Sequence, residues 1–173
     1  SGALCAALYR AYANEKLSSI NDLKNAFALL ESHFHGASSG IDPLISYLNK
    51  SILIRGNGDI DKVEIPNLHH GEGAIFLLNT GRARRTEPLV NLFLEKCKRE
   101  DFKILCEQEL LPLTNDCITS FLEGDTELLV KNFAKLSKFQ YQHFNQMIPN
   151  LFQNIWVDGI ESGDYFLKLC GAG

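Results

Sequence analysis

The part of the sequence best suited to chemistry is a Gly- and Ser-rich segment with a carboxylate at each end, Glu31 and Asp42. Gly36, Gly40 and the pair Ser38-Ser39 lie between them. Small residues allow backbone N–H groups to approach an anion closely, and a carboxylate beside such a loop can hold a cation or orient a hydroxyl. The same composition is typical of a helix C-terminus followed by a turn with an Asp cap. Composition by itself favours that simpler interpretation.

Both ends of the chain carry small residues that could bind phosphate. Ser1 and Gly2 open a helix-like pattern, and the free N–H groups and dipole of a helix N-terminus attract anions. At the other end, Lys168 is followed closely by Gly171-Ala172-Gly173. The competing interpretations are a cloning remnant at the start and a simple tail at the end. Neither end by itself therefore indicates a phosphate site strongly.

Two further segments have polar residues at suggestive spacing. Asn79–Thr86 contains three arginines and two threonines between a predicted strand and a predicted helix, and such a group could clamp a phosphate. A solvated run of charge is the commoner meaning of this pattern. His69-His70 could suggest a metal site, but adjacent histidines point apart and no third ligand stands at a suitable spacing, so this segment is expected to be a loop.

Helices are expected to carry most of these segments. Ile20, Leu23, Phe27, Leu30 and Phe34 recur at steps of three and four, which predicts a helix that Ser18 or Ser19 would cap and that Gly36 would end. A short helix is predicted to begin at Asp42-Pro43, with Asp42 as its cap. Further helices are predicted before residue 14, after Arg85, over 101–122 and 126–144, and after Pro149.

Four segments are predicted to be strands: Ser51–Arg55, Lys62–Ile65, Ala74–Leu78 and Tyr165–Leu169. Gly56-Asn57-Gly58-Asp59 between the first two predicts a hairpin. The uninterrupted apolar run Ala74–Leu78 is typical of a strand buried on both faces. The fold class expected from this order is α+β, helix-rich, with a small and mainly antiparallel sheet.

Composition restricts the kinds of partner. The 173 residues have a net charge of −4, which argues against a nucleic-acid binder. The five cysteines are odd in number and widely spread, which favours reduced thiols in a cytoplasmic protein. No apolar run approaches the ~20 residues of a membrane span, so no membrane partner is expected.

Taken in chain order, these segments resemble the GHMP kinase superfamily, and among its members the mevalonate kinases. The mevalonate kinase signature is a Glu followed by His-Gly-x-x-Ser-Gly-x-Asp, which corresponds here to Glu31 and residues 35–42. Ser1–Leu8 is similar to the end of the family's central phosphate loop and the helix behind it. Lys168–Gly173 matches the first half of the family's last motif, and residues 77–90 are similar to its strand, loop and helix beside the substrate.

The resemblance implies ATP-dependent phosphorylation of a small alcohol, with mevalonate first and a galactokinase-like sugar or a non-catalytic relative as alternatives. It implies that Asp42 faces the substrate hydroxyl as base or orienting group, and that Glu31 and the Ser1 hydroxyl bind Mg²⁺ on the ATP phosphates. The remaining implied contacts are Gly2, Gly171, Ala172 and Gly173 for the nucleotide phosphates and Ser39, Arg84 and Thr86 for the substrate.

The resemblance also implies a division of the chain. Residues 1–70 would be the C-terminal part of an ATP-binding domain, and residues 71–173 would be most of the family's C-terminal domain. Ala37-Ser38 stands where mevalonate kinases commonly have Asn-Pro, and Pro43 stands where Asn is usual, and these departures concern the substrate more than the reaction. Other family segments would lie outside this sequence. We therefore expect the piece to be inactive alone and to expose an apolar face that favours a homodimer.

Overall fold

The computed structural model describes residues 1–66, 73–81 and 86–170 and divides into two compact units, Ser1–Ile65 and Pro66–Gly173. Helices dominate, and the described residues contain one two-stranded antiparallel sheet. The coarse prediction of a helix-rich α+β chain is confirmed. The assignment of residues 1–70 and 71–173 to the domains of a kinase stays a prediction.

The first unit consists of three helices and a hairpin. Its elements are α1 (Gly2–Tyr12), α2 (Ile20–His35), α3 (Ile41–Leu48), β1 (Ile52–Ile54) and β2 (Ile60–Lys62).

The turns between the helices follow from a few residues. Ser19 caps α2 by accepting a hydrogen bond from the backbone N–H of Asp22 at 3.4 Å, as predicted. Gly36 ends α2 with a φ of 77°, and Gly40 precedes α3 with a φ of 72°. The prediction that Asp42 caps α3 is wrong. The left-handed turn at Gly40 starts the helix at Ile41, so Asp42 lies inside its first turn and makes no side-chain cap.

An aromatic cluster joins the three helices of the first unit. Tyr9 of α1, Phe27 of α2 and Tyr47 of α3 lie with ring centroids 5.1–5.5 Å apart and tilted or edge-on to one another. Such pairs add about 0.5–1.5 kcal/mol each beyond the area they bury. Arg10 at the end of α1 also donates a hydrogen bond to the carbonyl oxygen of Tyr47 at 3.1 Å. These contacts fix the directions of α1, α2 and α3.

The hairpin is confirmed, but its second strand begins earlier than predicted. Leu53 of β1 stands opposite Asp61 of β2, so the second strand is Ile60–Lys62 and not Lys62–Ile65. The short turn sets this register, because the N–H of Arg55 already donates to the carbonyl of Asp59 at 2.9 Å. Ile60 is thereby buried in the core.

The second unit contains only helices among its described elements. These are α4 (Thr86–Cys97), α5 (Glu100–Leu105), a π-helical turn (Cys106–Leu110), α6 (Leu111–Glu123), α7 (Thr126–Phe144), a 3₁₀ turn (Asn145–Met147) and α8 (Asn150–Ser162).

The helix boundaries of the second unit agree closely with the sequence pattern. Gly124 ends α6 in a left-handed conformation, and Asp125 caps α7 by accepting from the N–H of Leu128 at 2.9 Å. The core gathers around Trp156, whose indole N–H donates to the carbonyl of Ser137 at 3.2 Å. No helix in the described part of the chain combines the length and apolar character needed to cross a membrane.

Two predicted strands of the second unit are wrong. The run Ala74–Leu78 forms no strand, and Phe76 and Leu77 are 84% and 88% exposed. A strand requires a neighbouring strand to pair with, and the described residues provide none there. Residues Tyr165–Leu169 are also without strand pairing. Instead, the N–H of Leu169 donates to the side-chain oxygen of Gln140 at 2.8 Å, which anchors this segment to α7.

The two glycines of positive φ at positions 36 and 40 provide a test of the packing in the first unit. A Cβ on Gly40 would stand 2.2 Å from the carbonyl oxygen of Lys24 and 2.7 Å from the N of Ala28, whereas one on Gly36 would meet nothing within 4 Å. We expect Gly36→Ala to cost about 1–3 kcal/mol, the strain of an alanine held at a φ of 77° and a ψ of −123°. Gly40→Ala adds a backbone collision and should cost about 3–5 kcal/mol or prevent folding.

Urea unfolding of both variants, followed by circular dichroism, measures the difference. Equal losses at the two positions would contradict the close packing of the loop against α2.

Candidate functional site

The candidate site is built around Glu31, a carboxylate on the inner face of α2. Glu31 follows Phe27 by one helical turn, so both side chains point in the same direction. Phe27 is fully buried and Glu31 is only 7% exposed, whereas Leu29 on the opposite side of the helix is 69% exposed. Burying a charge is costly unless it is well hydrogen-bonded. The partners of Glu31 therefore matter for the stability of the first unit.

Two serine hydroxyls satisfy the two oxygens of the Glu31 carboxylate. Ser1 Oγ donates to Oε1 at 2.7 Å, and Ser38 Oγ donates to Oε2 at 2.5 Å. Ser38 Oγ in turn accepts from the backbone N–H of Gly40 at 3.0 Å. This network connects the start of α1, the last turns of α2 and the loop that follows α2. We call Ser1, Glu31 and Ser38 the carboxylate–serine network.

Asp42 is held close to the start of α1. A Cβ placed on Gly2 would stand 3.0 Å from the Cβ and the carbonyl carbon of Asp42 and 3.0 Å from the N of Pro43. A side chain at position 2 would therefore require α1 and the start of α3 to move apart by a few tenths of an ångström. The Asp42 residue itself is exposed. Ser1, Gly2, Glu31 and Asp42, four residues predicted to share a site, therefore lie around one helix terminus.

The start of α1 is suited to an anion. Ser1 is the N-cap residue, but its side chain makes no cap hydrogen bond, and its hydroxyl donates to Glu31 instead. No acidic residue lies in the first turn of α1. The first N–H groups of a helix lack intrahelical acceptors and carry a partial positive charge, so they favour phosphate or carboxylate groups.

The oxygen atoms beside this terminus suit Mg²⁺. Ser1 Oγ and Glu31 Oε1 are neighbouring hard oxygen donors, the kind that Mg²⁺ prefers. The described residues contain no group of three or more His, Cys, Asp or Glu side chains that could hold a metal. Mg²⁺ does not require such a group, because it keeps several waters and uses one or two carboxylates together with phosphate oxygens.

The remaining predicted site residues lie outside the carboxylate–serine network or outside the described residues. Ser39 is exposed, and its Oγ accepts from the N–H of Ile41 at 3.4 Å, apart from the carboxylate–serine network. Thr86 is the first residue of α4, and its side chain is not described. The other four predicted residues, Arg84, Gly171, Ala172 and Gly173, lie outside the described residues, as does His69-His70.

Ser38 is the site residue that the sequence pattern did not identify. The two serines of the loop are equivalent in type, and the resemblance directed attention to Ser39. The distinguishing signal is positional: Ser38 lies two residues before Gly40, and a serine can bond the backbone N–H two residues ahead of it.

Comparison with known proteins adds no relative to this picture. No family model, no curated protein and no solved structure matches the chain.

The carboxylate–serine network predicts unequal roles for two adjacent serines. Ser38→Ala removes a donor from a buried carboxylate oxygen and should lower the free energy of unfolding by about 1–3 kcal/mol. Ser39→Ala removes only an exposed, long hydrogen bond and should change it by less than about 0.5 kcal/mol. Chemical denaturation of both variants checks this order. Equal losses, or a larger loss for Ser39→Ala, would contradict the network.

Proposed function

We propose that this chain carries one wall of the active site of an ATP-dependent kinase that phosphorylates a small alcohol, with mevalonate as the first candidate substrate. The observation that carries the proposal is the meeting of Ser1, Gly2, Glu31 and Asp42 at the start of α1. These residues are separated by up to 41 positions in the chain, and the GHMP resemblance assigns them to one site. Their proximity in the first unit supports that assignment.

Glu31 and Ser1 are proposed to hold Mg²⁺. Both hydroxyl–carboxylate contacts of Glu31 orient its oxygens, so the carboxylate is fixed before a ligand arrives. When bound, Mg²⁺ would neutralise charge on the ATP phosphates, which is a major requirement of phosphoryl transfer. The backbone at Ser1 and Gly2 would contribute N–H groups of α1 to the same phosphates.

Asp42 is proposed to face the substrate hydroxyl. It is exposed, and it lies in the first turn of α3, where the helix dipole stabilises a carboxylate. A carboxylate placed there can accept the proton of an alcohol or orient the hydroxyl for attack. We also propose a cytoplasmic location, and the free state of the five cysteines is consistent with a reducing compartment.

A second candidate is a non-catalytic GHMP-like binding protein. It is favoured by the fact that both oxygens of Glu31 already accept hydrogen bonds from protein hydroxyls, which is a complete structural role. The two candidates differ in what Asp42 should do, since an exposed carboxylate outside that network has no such role. Within the kinase class, a galactokinase-like sugar substrate is the alternative to mevalonate.

The proposed reaction is tested with Asp42→Asn and with Asp22→Asn as a matched control. Both residues are exposed aspartates in the first turn of a helix, so each substitution removes the same favourable interaction with a helix dipole. If Asp42 acts as the base, Asp42→Asn should lower kcat by roughly 10²–10⁴-fold, the usual contribution of such a group. Asp22→Asn should leave kcat unchanged.

The assay is an ATP-coupled screen of mevalonate, phosphomevalonate, galactose and homoserine. The resemblance implies further segments, so the natural full-length polypeptide is measured beside the 173-residue chain, and only the former is expected to turn over. If the full-length polypeptide binds ATP but turns over none of the four alcohols, the result would favour the non-catalytic candidate. Equal activity of Asp42→Asn and Asp22→Asn would refute the role of Asp42.

Gly2→Ala tests whether the approach of α1 to Asp42 serves the reaction. Alanine is favoured over glycine in a helix by about 1 kcal/mol, which offsets part of the crowding at 3.0 Å. We therefore expect little change in stability. Displacement of Asp42 by a few tenths of an ångström should nevertheless lower kcat on the order of tenfold, because catalytic positioning is sensitive to such shifts. A parallel loss of thermal stability and activity would indicate a purely structural effect.

A further inference from the structure

A cleft of about 400 Å³ lies in the second unit, between α7 on one side and the π-helical turn and α6 on the other. This volume falls within the range of about 300–1,000 Å³ that small-molecule sites usually occupy. Three of the lining residues are apolar: Pro112, Leu113 and the buried Phe139. The cleft therefore offers apolar surface to a ligand of modest size.

The wall formed by the π-helical turn and α6 carries hydrogen-bond acceptors. Glu109 and Asp116 line the cleft and are exposed. Pro112 has no N–H group, so the carbonyl oxygen of Gln108 lacks the donor that a regular helix supplies four residues ahead. Gln108 and Glu109 both belong to the π-helical turn, Cys106–Leu110, and such turns occur frequently at functional sites. This wall matches a cationic donor such as an ammonium group.

The opposite wall, on α7, carries the opposite charge. Lys135, Lys138 and Gln142 line the cleft from this side. They are three and four residues apart, so their side chains lie on one face of the helix. All three are exposed. Two ammonium groups and a side-chain amide beside one cleft match a carboxylate, which accepts charge-assisted hydrogen bonds from such donors.

The opposite charges of the two walls are not paired with each other across the cleft. None of the three ion pairs in the described part of the chain involves a residue of the cleft. Exposed charges that are not in contact attract each other only weakly in water. A ligand with a cation at one end and an anion at the other would contact both walls directly. The distribution of charge therefore favours a zwitterion over a simple anion or cation.

We propose that this cleft binds small zwitterions with an apolar body between an ammonium group and a carboxylate, and that dipeptides with apolar side chains are the class that fits best. The ammonium group would donate hydrogen bonds to Glu109 and Asp116. The carboxylate would accept from Lys135, Lys138 and Gln142. The apolar side chains of the ligand would lie against the apolar lining. The cleft lies wholly within the second unit and is independent of the proposed kinase chemistry.

The experiment is an NMR titration of the folded chain with the dipeptide leucyl-phenylalanine, its N-acetyl form and its C-terminal amide. The free dipeptide should bind saturably, and the backbone amides that shift most should belong to residues 108–116 and 135–142. Each capped form lacks one charge. It should bind about three- to tenfold more weakly, which is the loss expected for one charged contact in a solvent-accessible site.

Two matched pairs of substitutions test the two walls. Lys138→Gln should weaken binding of the free dipeptide by the same factor, whereas Lys131→Gln changes an exposed lysine of α7 that does not line the cleft and should leave binding unchanged. Glu109→Gln should also weaken binding, whereas Glu107→Gln, in the same π-helical turn but not in the lining, should not. The N-acetyl form should be insensitive to Glu109→Gln, because it has no ammonium group.

Several results would overturn the proposal. One is the absence of saturable binding of leucyl-phenylalanine at millimolar concentration. Another is an equal affinity for the free and the capped dipeptides, or an equal effect of Lys138→Gln and Lys131→Gln, because the charges of the cleft would then not recognise the ligand. Shifts confined to residues outside the cleft would also contradict it. The three ligands decide the matter on the unsubstituted chain even if a variant fails to fold.

Discussion

The buried carboxylate of Glu31 is the constraint on which the first unit depends. A charge with 7% exposure must be hydrogen-bonded, and Ser1 and Ser38 supply the donors from two different parts of the chain. The carboxylate thereby ties the first residue of α1 to the loop after α2. Without that tie, the aromatic cluster of Tyr9, Phe27 and Tyr47 would still pack the helices together, and the start of α1 would be held only by its contact with the start of α3.

Two glycines allow the close backbone contacts that position the other residues of the site around this carboxylate. Gly40 turns the chain so tightly against α2 that its backbone has no room for a side chain, and α3 begins immediately after it. Gly2 then allows α1 to approach the first turn of α3. Asp42 is positioned by backbone contacts, while Glu31 is positioned by side-chain hydrogen bonds. The two carboxylates are thus held by independent means, which allows one to be buried and the other exposed.

The sequence correctly predicted the features that depend on interactions between residues close together in the chain. The spacing from Ile20 to Phe34, the cap at Ser19 and the break at Gly124 are all confirmed, because each depends on residues within one or two turns. The strands at Ala74–Leu78 and Tyr165–Leu169 were predicted wrongly, because pairing depends on distant segments that a single run of residues cannot specify. The role of Ser38 was missed for the same reason, because it depends on where the buried carboxylate points.

The free-energy cost of burying the Glu31 carboxylate bears on whether its role is only structural. A buried carboxylate needs hydrogen-bond donors, and Ser1 and Ser38 supply them. In the proposed kinase, the same carboxylate would also offer hard oxygen atoms to Mg²⁺ beside the free N–H groups of α1, and those N–H groups would bind the phosphates. The carboxylate–serine network can therefore serve both the fold of the first unit and the proposed ligand.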